Sequence, residues 1–454
     1  MARNRHFRAL RQYVVAGLLA GTSAQAFAAG FAIHEQSASD LGNAFAGGAA
    51  LAQDASTTFF NPAGLTRLPA NQLVAGVHFL HPSIEFTDKG STDLLGQPLS
   101  GGDGGDAGGT LTVPDFYYAH RLNRRMVVAV GVNAPFGLRT QYDPHWVGRY
   151  QAIKSDLRTV NINPSLAYRI NDRLSVGAGL NAQYIRATLT RAVDYGGLCV
   201  AQGIQAGQTP SAAAAACAAA GLVPQHSDGT AHVAGNDWSY GVNLGLLYQL
   251  DPGTRFGAAY RFRVDHTLTG RATFTGAPAL FTAKGVFVPA AARASIDLPE
   301  TLSMSAYHAL NSRWAVMGDV TWTHWSRFKE LRVAYASNQQ DTVTKEHWRN
   351  SLRYALGANY RYNSRWLLRA GVAYDQTPIP DAAHRTARIP GNNRTWLAAG
   401  FHYQPAPAVG IDVGYAHLFV TDTAIDHHDA KAGTLTGSYA TSVDIFSGQV
   451  TWTF

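Results

Sequence analysis

The chain has little of what usually holds a secreted or soluble fold together. Only two cysteines occur in 454 residues, so no disulfide framework can support it. Beyond residue 28 there is no run of 18 apolar residues, which excludes a membrane-spanning helix. Charged residues are 15% of the total, and four of the seven net positive charges lie within the first eleven residues. The basic balance is therefore no argument for nucleic-acid binding. No Gly-x-Ser-x-Gly nucleophile elbow and no phosphate-cradling Gly-rich loop are present, so neither ester hydrolysis nor nucleotide hydrolysis is indicated. Histidine is more plentiful, at 17 residues, but His427-His428 falls in an expected loop, and His226 and His232 lack zinc spacing. With no nucleophile, base and orienting group to place together, neither an enzyme nor a cofactor or metal is expected.

What is present begins with an export signal. Arg3, Arg5, Arg8 and Arg11 form a basic start, Tyr13 to Ala20 a short apolar stretch, and Ala26-Phe27-Ala28 a small-x-small cleavage site. Residues 1–28 are read as a signal peptide, with the mature chain starting at Ala29. An exported chain without spanning helices is soluble in the periplasm, released, or a barrel.

From residue 70 onward, period-two patterns recur. Trp366, Leu368, Ala370, Val372 and Tyr374 share one face, opposite Leu367, Arg369, Gly371, Ala373 and Asp375. The runs 236–250 and 409–422 repeat this alternation of an apolar with a small or polar face, the pattern of a membrane barrel wall. About fourteen such runs fit between 72–84 and 437–454, an even number as a bacterial outer-membrane barrel requires. Tight turns (Asn123-Arg124, Asn171-Asp172, Asn311-Ser312, Asn363-Ser364) alternate with long connections, among them 85–110, 195–235, 378–392 and 423–436. Phe446, Val450, Trp452 and Phe454 share a face of the last run, as an aromatic interface girdle would. In the 195–235 loop, Pro210 and Gly221 bracket an Ala-rich helix, and pairing Cys199 with Cys217 would close a short loop worth about 3 kcal/mol.

Residues 29–69 are small and polar, too short for a core of their own, with one or two helical turns expected at Ser37 to Phe45. They end in Asn61-Pro62-Ala63-Gly64. A segment like this ahead of a barrel reads as a hatch inside the pore. The expected fold is an all-β, transmembrane antiparallel β-barrel of about fourteen strands, residues 70–454, with an N-terminal hatch, residues 29–69, plugging the lumen. The third run, 126–141, is irregular: within Asn133-Ala134-Pro135-Phe136-Gly137, Pro135 removes a ladder donor and Gly137 weakens the strand. Unpaired backbone facing lipid costs several kcal/mol per group, so such a break is tolerated only where it lines a cavity or is covered. It reads either as a hole in the wall or as a bulge near the rim.

These residues carry a family resemblance. Gly30-Phe31, Asn61-Pro62-Ala63, Asn133-Ala134-Pro135-Phe136-Gly137-Leu138, Leu298-Pro299-Glu300, Trp322-Thr323-His324-Trp325-Ser326 and Tyr374-Asp375-Gln376-Thr377-Pro378 occur in order along the chain. Through them the sequence resembles the FadL-type outer-membrane transporters of long-chain fatty acids and other hydrophobic compounds. The resemblance implies a fourteen-stranded barrel in the outer membrane of a Gram-negative cell, acting as a monomer in contact with outer-membrane lipid. It implies a hatch that shifts and a ligand that leaves sideways into the membrane at the kinked third strand. Residue by residue it implies a ligand contact at Phe31 and a hatch residue near the wall opening at Asn61. It also implies cationic head-group partners at Arg186 and Arg349. Asn350 stands where an acidic residue would accompany the cation, and the outer loops match poorly. Fatty acid and neutral aromatic hydrocarbon therefore both stay open as substrates. A general diffusion porin would need charged rings at a constriction and no hatch, and the low charged fraction argues against it.

Overall fold

The structure is a computed structural model and describes residues 30–454; the stretch expected to be a signal peptide, residues 1–28, lies outside the described residues. One antiparallel sheet of 20 strand segments curls round on itself. Segment β1 (Gln72–Asp88) closes it, pairing along its whole length with β20 (Gly433–Thr453) and from Gln72 to Leu80 with β2 (Leu111–Arg121). Several wall strands are broken into two pieces, and the segments together form a closed barrel of 14 strands. Closure pairs the first strand with the last, so neither is left as a free edge in hydrocarbon.

The alternation seen in the sequence is inside out relative to a soluble protein. On β16 (Trp366–Asp375), Leu368, Val372 and Tyr374 are exposed, while Arg369, Ala373 and Asp375 are buried in the lumen. Exposed Trp314, Tyr362, Trp452 and Phe454 lie beside the short turns. Exposed Trp238, Tyr240, Tyr374 and Phe419 lie towards the long loops. The two sets form the girdles of an apolar band.

Two expected loops are partly wall. Residues 423–436 were expected to be a loop, yet β19 (Thr423–Asp429) continues the wall and pairs with the start of β20. The charged run Asp426-His427-His428-Asp429 hid a period-two pattern in which Thr423, Ile425 and His427 point inward. His427 is thus strand-bound, its Nδ1 2.8 Å from the Ala383 carbonyl, and not a loop residue. The 195–235 connection is shorter than expected, because β7 (Asp228–Asp251) begins early and pairs fully with β6 (Leu174–Asp194). It holds two helices, Tyr195–Gln205 and Pro210–Ala219, joined by a Cys199–Cys217 disulfide.

Residues 30–68 run through the lumen as short helices, Ala38–Leu41, Gly48–Leu51 and Thr57–Phe60, and a 3-10 turn, Pro62–Arg67. Helices this short have no stability of their own and depend on the host wall. The wall supplies partners for their carbonyl ends. Arg255 donates to Ala50 and Leu51 (3.0 and 3.1 Å), Arg261 to Phe59 (2.9 Å) and Arg353 to Ala44 (2.5 Å). A cation at a helix C-terminus offsets the dipole there while satisfying orphan carbonyls. The wall also makes room. A Cβ at Gly257 would collide with the Ala49 carbonyl, and one at Gly371 with the backbone of Asn43.

Candidate functional site

The third wall strand is the least regular. It runs as β3 (Met126–Asn133) and resumes as β4 (Gly137–Gln141). Both pieces pair with β5 (Lys154–Arg169), but only β3 pairs with β2, where the ladder stops at Phe116 opposite Val132. From Leu111 to Asp115, β2 therefore has no strand partner on that side. The peptide groups of the break are not orphaned. Ile33 N–H donates to the Pro135 carbonyl and Gly137 N–H to the Phe31 carbonyl, both at 2.9 Å. The Gln36 amide reaches the Ala134 carbonyl at 2.9 Å, and Phe136 N–H donates to Thr159 Oγ1 at 3.0 Å. The leading segment thus acts as a private strand for the broken piece of wall. Below it, Asn133, Asn161, Asn181, Asn163 and Asn243 are linked by amide bonds of 2.9 to 3.2 Å across four wall strands. Arg261 adds a further donor to Asn181 Oδ1, so the chain of amides joins the wall to a cation that also holds the leading segment.

Phe31 sits at the centre of a buried aromatic cluster. Its ring centroid lies 4.8 Å from Trp325, 5.7 Å from Phe328, 5.8 Å from Trp348 and 6.0 Å from Phe136. Gly30 makes this possible: its φ of +69° and the 2.7 Å from its ideal Cβ position to both tryptophan rings leave no room for another residue. Beside the cluster opens a mainly apolar cavity, lined in part by Phe31 itself. Leu138, Leu157, Leu268, Ile296, Leu331 and Ile389 supply most of its wall.

Four ionisable residues interrupt that apolar lining, Asp156, Arg293, Glu346 and Arg388; the last two are buried side by side in loops. Glu346 lies between β14 (Thr342–Lys345) and β15 (Ser351–Arg361), and its Oε2 accepts from Trp348 Nε1 at 2.9 Å. Burial pushes its pKa up to about 8, so it is largely protonated at neutral pH. Arg388, in the 378–393 connection, is held by the carbonyls of Lys154 (3.2 Å) and Gln151 (2.9 Å) and by Ser155 Oγ (3.0 Å). Burial lowers its pKa to about 10, which still leaves it charged. Among the described residues it forms no ion pair with a carboxylate. A fixed cation beside a neutral acid in a mostly apolar chamber has the chemistry to hold one anionic head with a hydrocarbon tail.

The residues singled out in the sequence fall into two groups. Phe31, Pro135, Phe136 and Gly137 come together at the break. Pro62 lines a second cavity, nearer the turns, in common with Pro135 and Phe136. Asn61 turns away from it: its Nδ2 donates to Ala49 and to Leu246 on β7, at 2.6 and 3.0 Å, while Oδ1 caps Ala63 N–H at 3.0 Å. Ala63 packs against Gly177 of β6. Neither proposed cation reaches the cavity. Arg186 is exposed on the outer face, because the period of β6 sends Gln183 and Ile185 inward. Arg349 is exposed as well and donates to the Pro380 carbonyl at 3.2 Å, while its neighbour Trp348 turns inward. Arg388 and Glu346 were missed. Both lie in loops without periodicity, and only the tryptophans around them stood out.

A family model described as outer membrane protein transport protein (OMPP1/FadL/TodX) matches residues 19–454. The chain is similar to the long-chain fatty acid transport protein of Escherichia coli K12, with 32% identity over 87% of this chain and 89% of the relative. Its fold is similar to the crystal structure of a Pseudomonas aeruginosa FadL homologue, with TM-score 0.86, 25% identity, and coverage of 94% and 100%. It is also similar to the Pseudomonas putida toluene transporter TodX, with TM-score 0.64, 20% identity, and coverage of 88% and 94%. The last likeness speaks for the fold alone. Taken with the barrel and its broken third strand, these matches make the chain a member of the FadL/TodX family of outer-membrane transporters of hydrophobic compounds.

Proposed function

We propose that the protein carries long-chain fatty acids across the outer membrane by passive diffusion and releases them sideways into the bilayer. The observation that carries the choice of substrate is the Arg388 cation, buried beside a protonated Glu346 at the wall of a mostly apolar cavity that Asp156 and Arg293 also line. The carboxylate sits on Arg388 and accepts a second hydrogen bond from the Glu346 acid. The chain lies along Leu138, Leu157 and Leu268 towards Phe31.

Residues 29–69 act as the hatch. Ile33 and Phe31 are bonded to the break itself, so ligand packing on Phe31 pulls on Pro135 and Gly137 through the same peptide groups. Movement there uncovers the stretch of β2 that lacks a ladder partner. A hydrocarbon chain then enters lipid without crossing water, which would cost about 0.8 kcal/mol per exposed methylene. The apolar band around the closed wall suits a monomer surrounded by lipid.

A second reading has one observation in its favour. The four rings around Phe31 offer stacking to a neutral aromatic hydrocarbon. Binding of a long-chain acid, its matched alcohol and toluene to the purified protein separates the two. Arg388→Gln should weaken the acid about 10- to 100-fold, the 1.5–3 kcal/mol of a charge-assisted bond, and leave the alcohol and toluene unchanged. Equal affinity for acid and alcohol in the unaltered protein would rule out the carboxylate reading. Uptake that survives deletion of residues 29–68 would rule out the hatch.

A further inference from the structure

A second weakness in the wall lies far from the third strand. The eighth wall strand is β10 (Ala290–Leu298) followed by β11 (Thr301–Ala309), and the ninth is β12 (Trp314–Thr323) followed by β13 (Glu330–Tyr335). β11 and β12 pair from Thr301–Thr323 onward towards the short turns, whereas β10 and β13 pair only at Ala292–Ala294 opposite Val333–Tyr335. Between these two ladders, Ser295 to Glu300 faces residues 324–332 with no strand pairing. One backbone bond, His324 N–H to the Glu300 carbonyl at 3.0 Å, spans the near end.

The seam has a recess on each side. The apolar cavity reaches it from within, at Ala294, Ile296 and Leu331. A charged recess reaches it from without, at Ser295, Asp297, Lys329 and Arg332. Arg293 and Phe328 line both. What separates the two spaces is the Phe328 ring and an ion-pair latch. The carboxylate of Glu300 takes Arg327 in bidentate fashion at 2.7 and 2.7 Å and His324 Nδ1 at 2.6 Å. Trp322, two residues before His324, and Tyr240 belong to the aromatic girdle on the long-loop side. The recess thus lies at the height of the lipid head groups.

Its charges are unevenly paired. Arg332 is paired with both Glu330 and Asp341, and Arg327 with Glu300. Arg293 and Lys329 line the same recess and form no ion pair among the described residues. Resting on the acid-carrier reading above, we propose that this seam is a second side opening, latched shut here. It would pass single-chain anionic amphiphiles between the outer leaflet and the cavity. Arg293 and Lys329 hold the head group, and the chain slides past Phe328 once the Glu300 latch yields. A bilayer-resident acid already carries its charge at this height, so it reaches the cavity without its chain being exposed to water.

Proteoliposomes of the full mature protein can be mixed with vesicles loaded with a long-chain diazirine carboxylate, photolysed at timed intervals, and the label on the Trp348 peptide followed by mass spectrometry. Glu300→Gln and Phe328→Ala should each speed labelling about fivefold, and Arg293→Gln with Lys329→Gln should slow it about as much. The matching diazirine alcohol should be indifferent to the last pair. Plateau labelling, which reports the cavity itself, should stay the same in Glu300→Gln and in Lys329→Gln alone, since neither residue lines the cavity. An unaltered protein that labels normally, with rates unchanged in all these variants, overturns the side opening and leaves the cavity reading standing. Absence of label on the Trp348 peptide in every variant, the unaltered protein included, overturns both.

Discussion

A charged guanidinium surrounded by hydrocarbon is expensive unless something answers it. At Arg388 the answers from the protein are dipoles only: two carbonyls and a hydroxyl. Glu346 is the obvious counter-charge, yet burial holds it protonated up to about pH 8. The sign of the resulting pH dependence follows. As pH rises through about 8, Glu346 ionises, neutralises the field of Arg388 and repels a ligand carboxylate. Acid affinity should therefore fall between pH 7 and 9, and Glu346→Gln should flatten the profile, as isothermal titration in detergent can check. Stability moves the same way. The folded state holds a proton that the unfolded state releases near pH 4.5, so the contribution is present at low pH and is lost between about 4.5 and 8. None of this could be read from the chain. A lone acid and a lone arginine in separate loops have no period, and only the fold brings them to one chamber. Arg186 shows the converse. Its place in a strand was evident, but which face of the strand looks inward depends on register, and a shift of one residue sends every side chain to the other side.

Between single residues and the barrel stand the leading segment and the broken strand, which complete each other. Pro135 and Gly137 announced the break, but nothing in the sequence said that Phe31 and Ile33 would supply the missing hydrogen bonds. The glycines that receive the leading segment carried a signal that was present and unread. Gly257 and Gly371 fall on inward faces, where a barrel has no other need for so small a residue. Gly371→Val should push Asn43 off the wall while leaving the outer face untouched. Its expected cost is about 1–3 kcal/mol, the usual range for overpacking. It should also leave residues 30–60 open to limited proteolysis that the unaltered protein resists. Phe31→Ala removes the keystone of the aromatic cluster, and a loss of about 3–5 kcal/mol in folded stability is the expected order for a buried ring. Uptake should fall with it even where the barrel still migrates as a folded species on unheated gels.

At the scale of the whole molecule, the fourteen wall strands and their alternation were plain in the sequence because lipid outside and packed lumen inside impose a strict period of two. The loops were less legible, since charge at β19 masked the same period; Pro210 and Gly221 marked the second helix of the 195–221 excursion, but nothing local marked the first, Tyr195–Gln205. The Cys199–Cys217 link lies in that outer excursion, far from the barrel closure at β1 and β20. Replacing both cysteines by serine should cost about 3 kcal/mol within the loop and expose it to protease. The melting of the barrel itself should hardly move.

The cations clamped onto the leading segment have one more consequence. Arg255, Arg261 and Arg353 pin the leading segment across the lower lumen, and a hatch held in this way would interrupt any file of water between the two ends of the barrel. A bacterium bearing many copies could graze on grease and still exclude small hydrophilic antibiotics. Planar-bilayer recordings should accordingly show next to no current from the intact protein, and steps of current once residues 29–68 are removed.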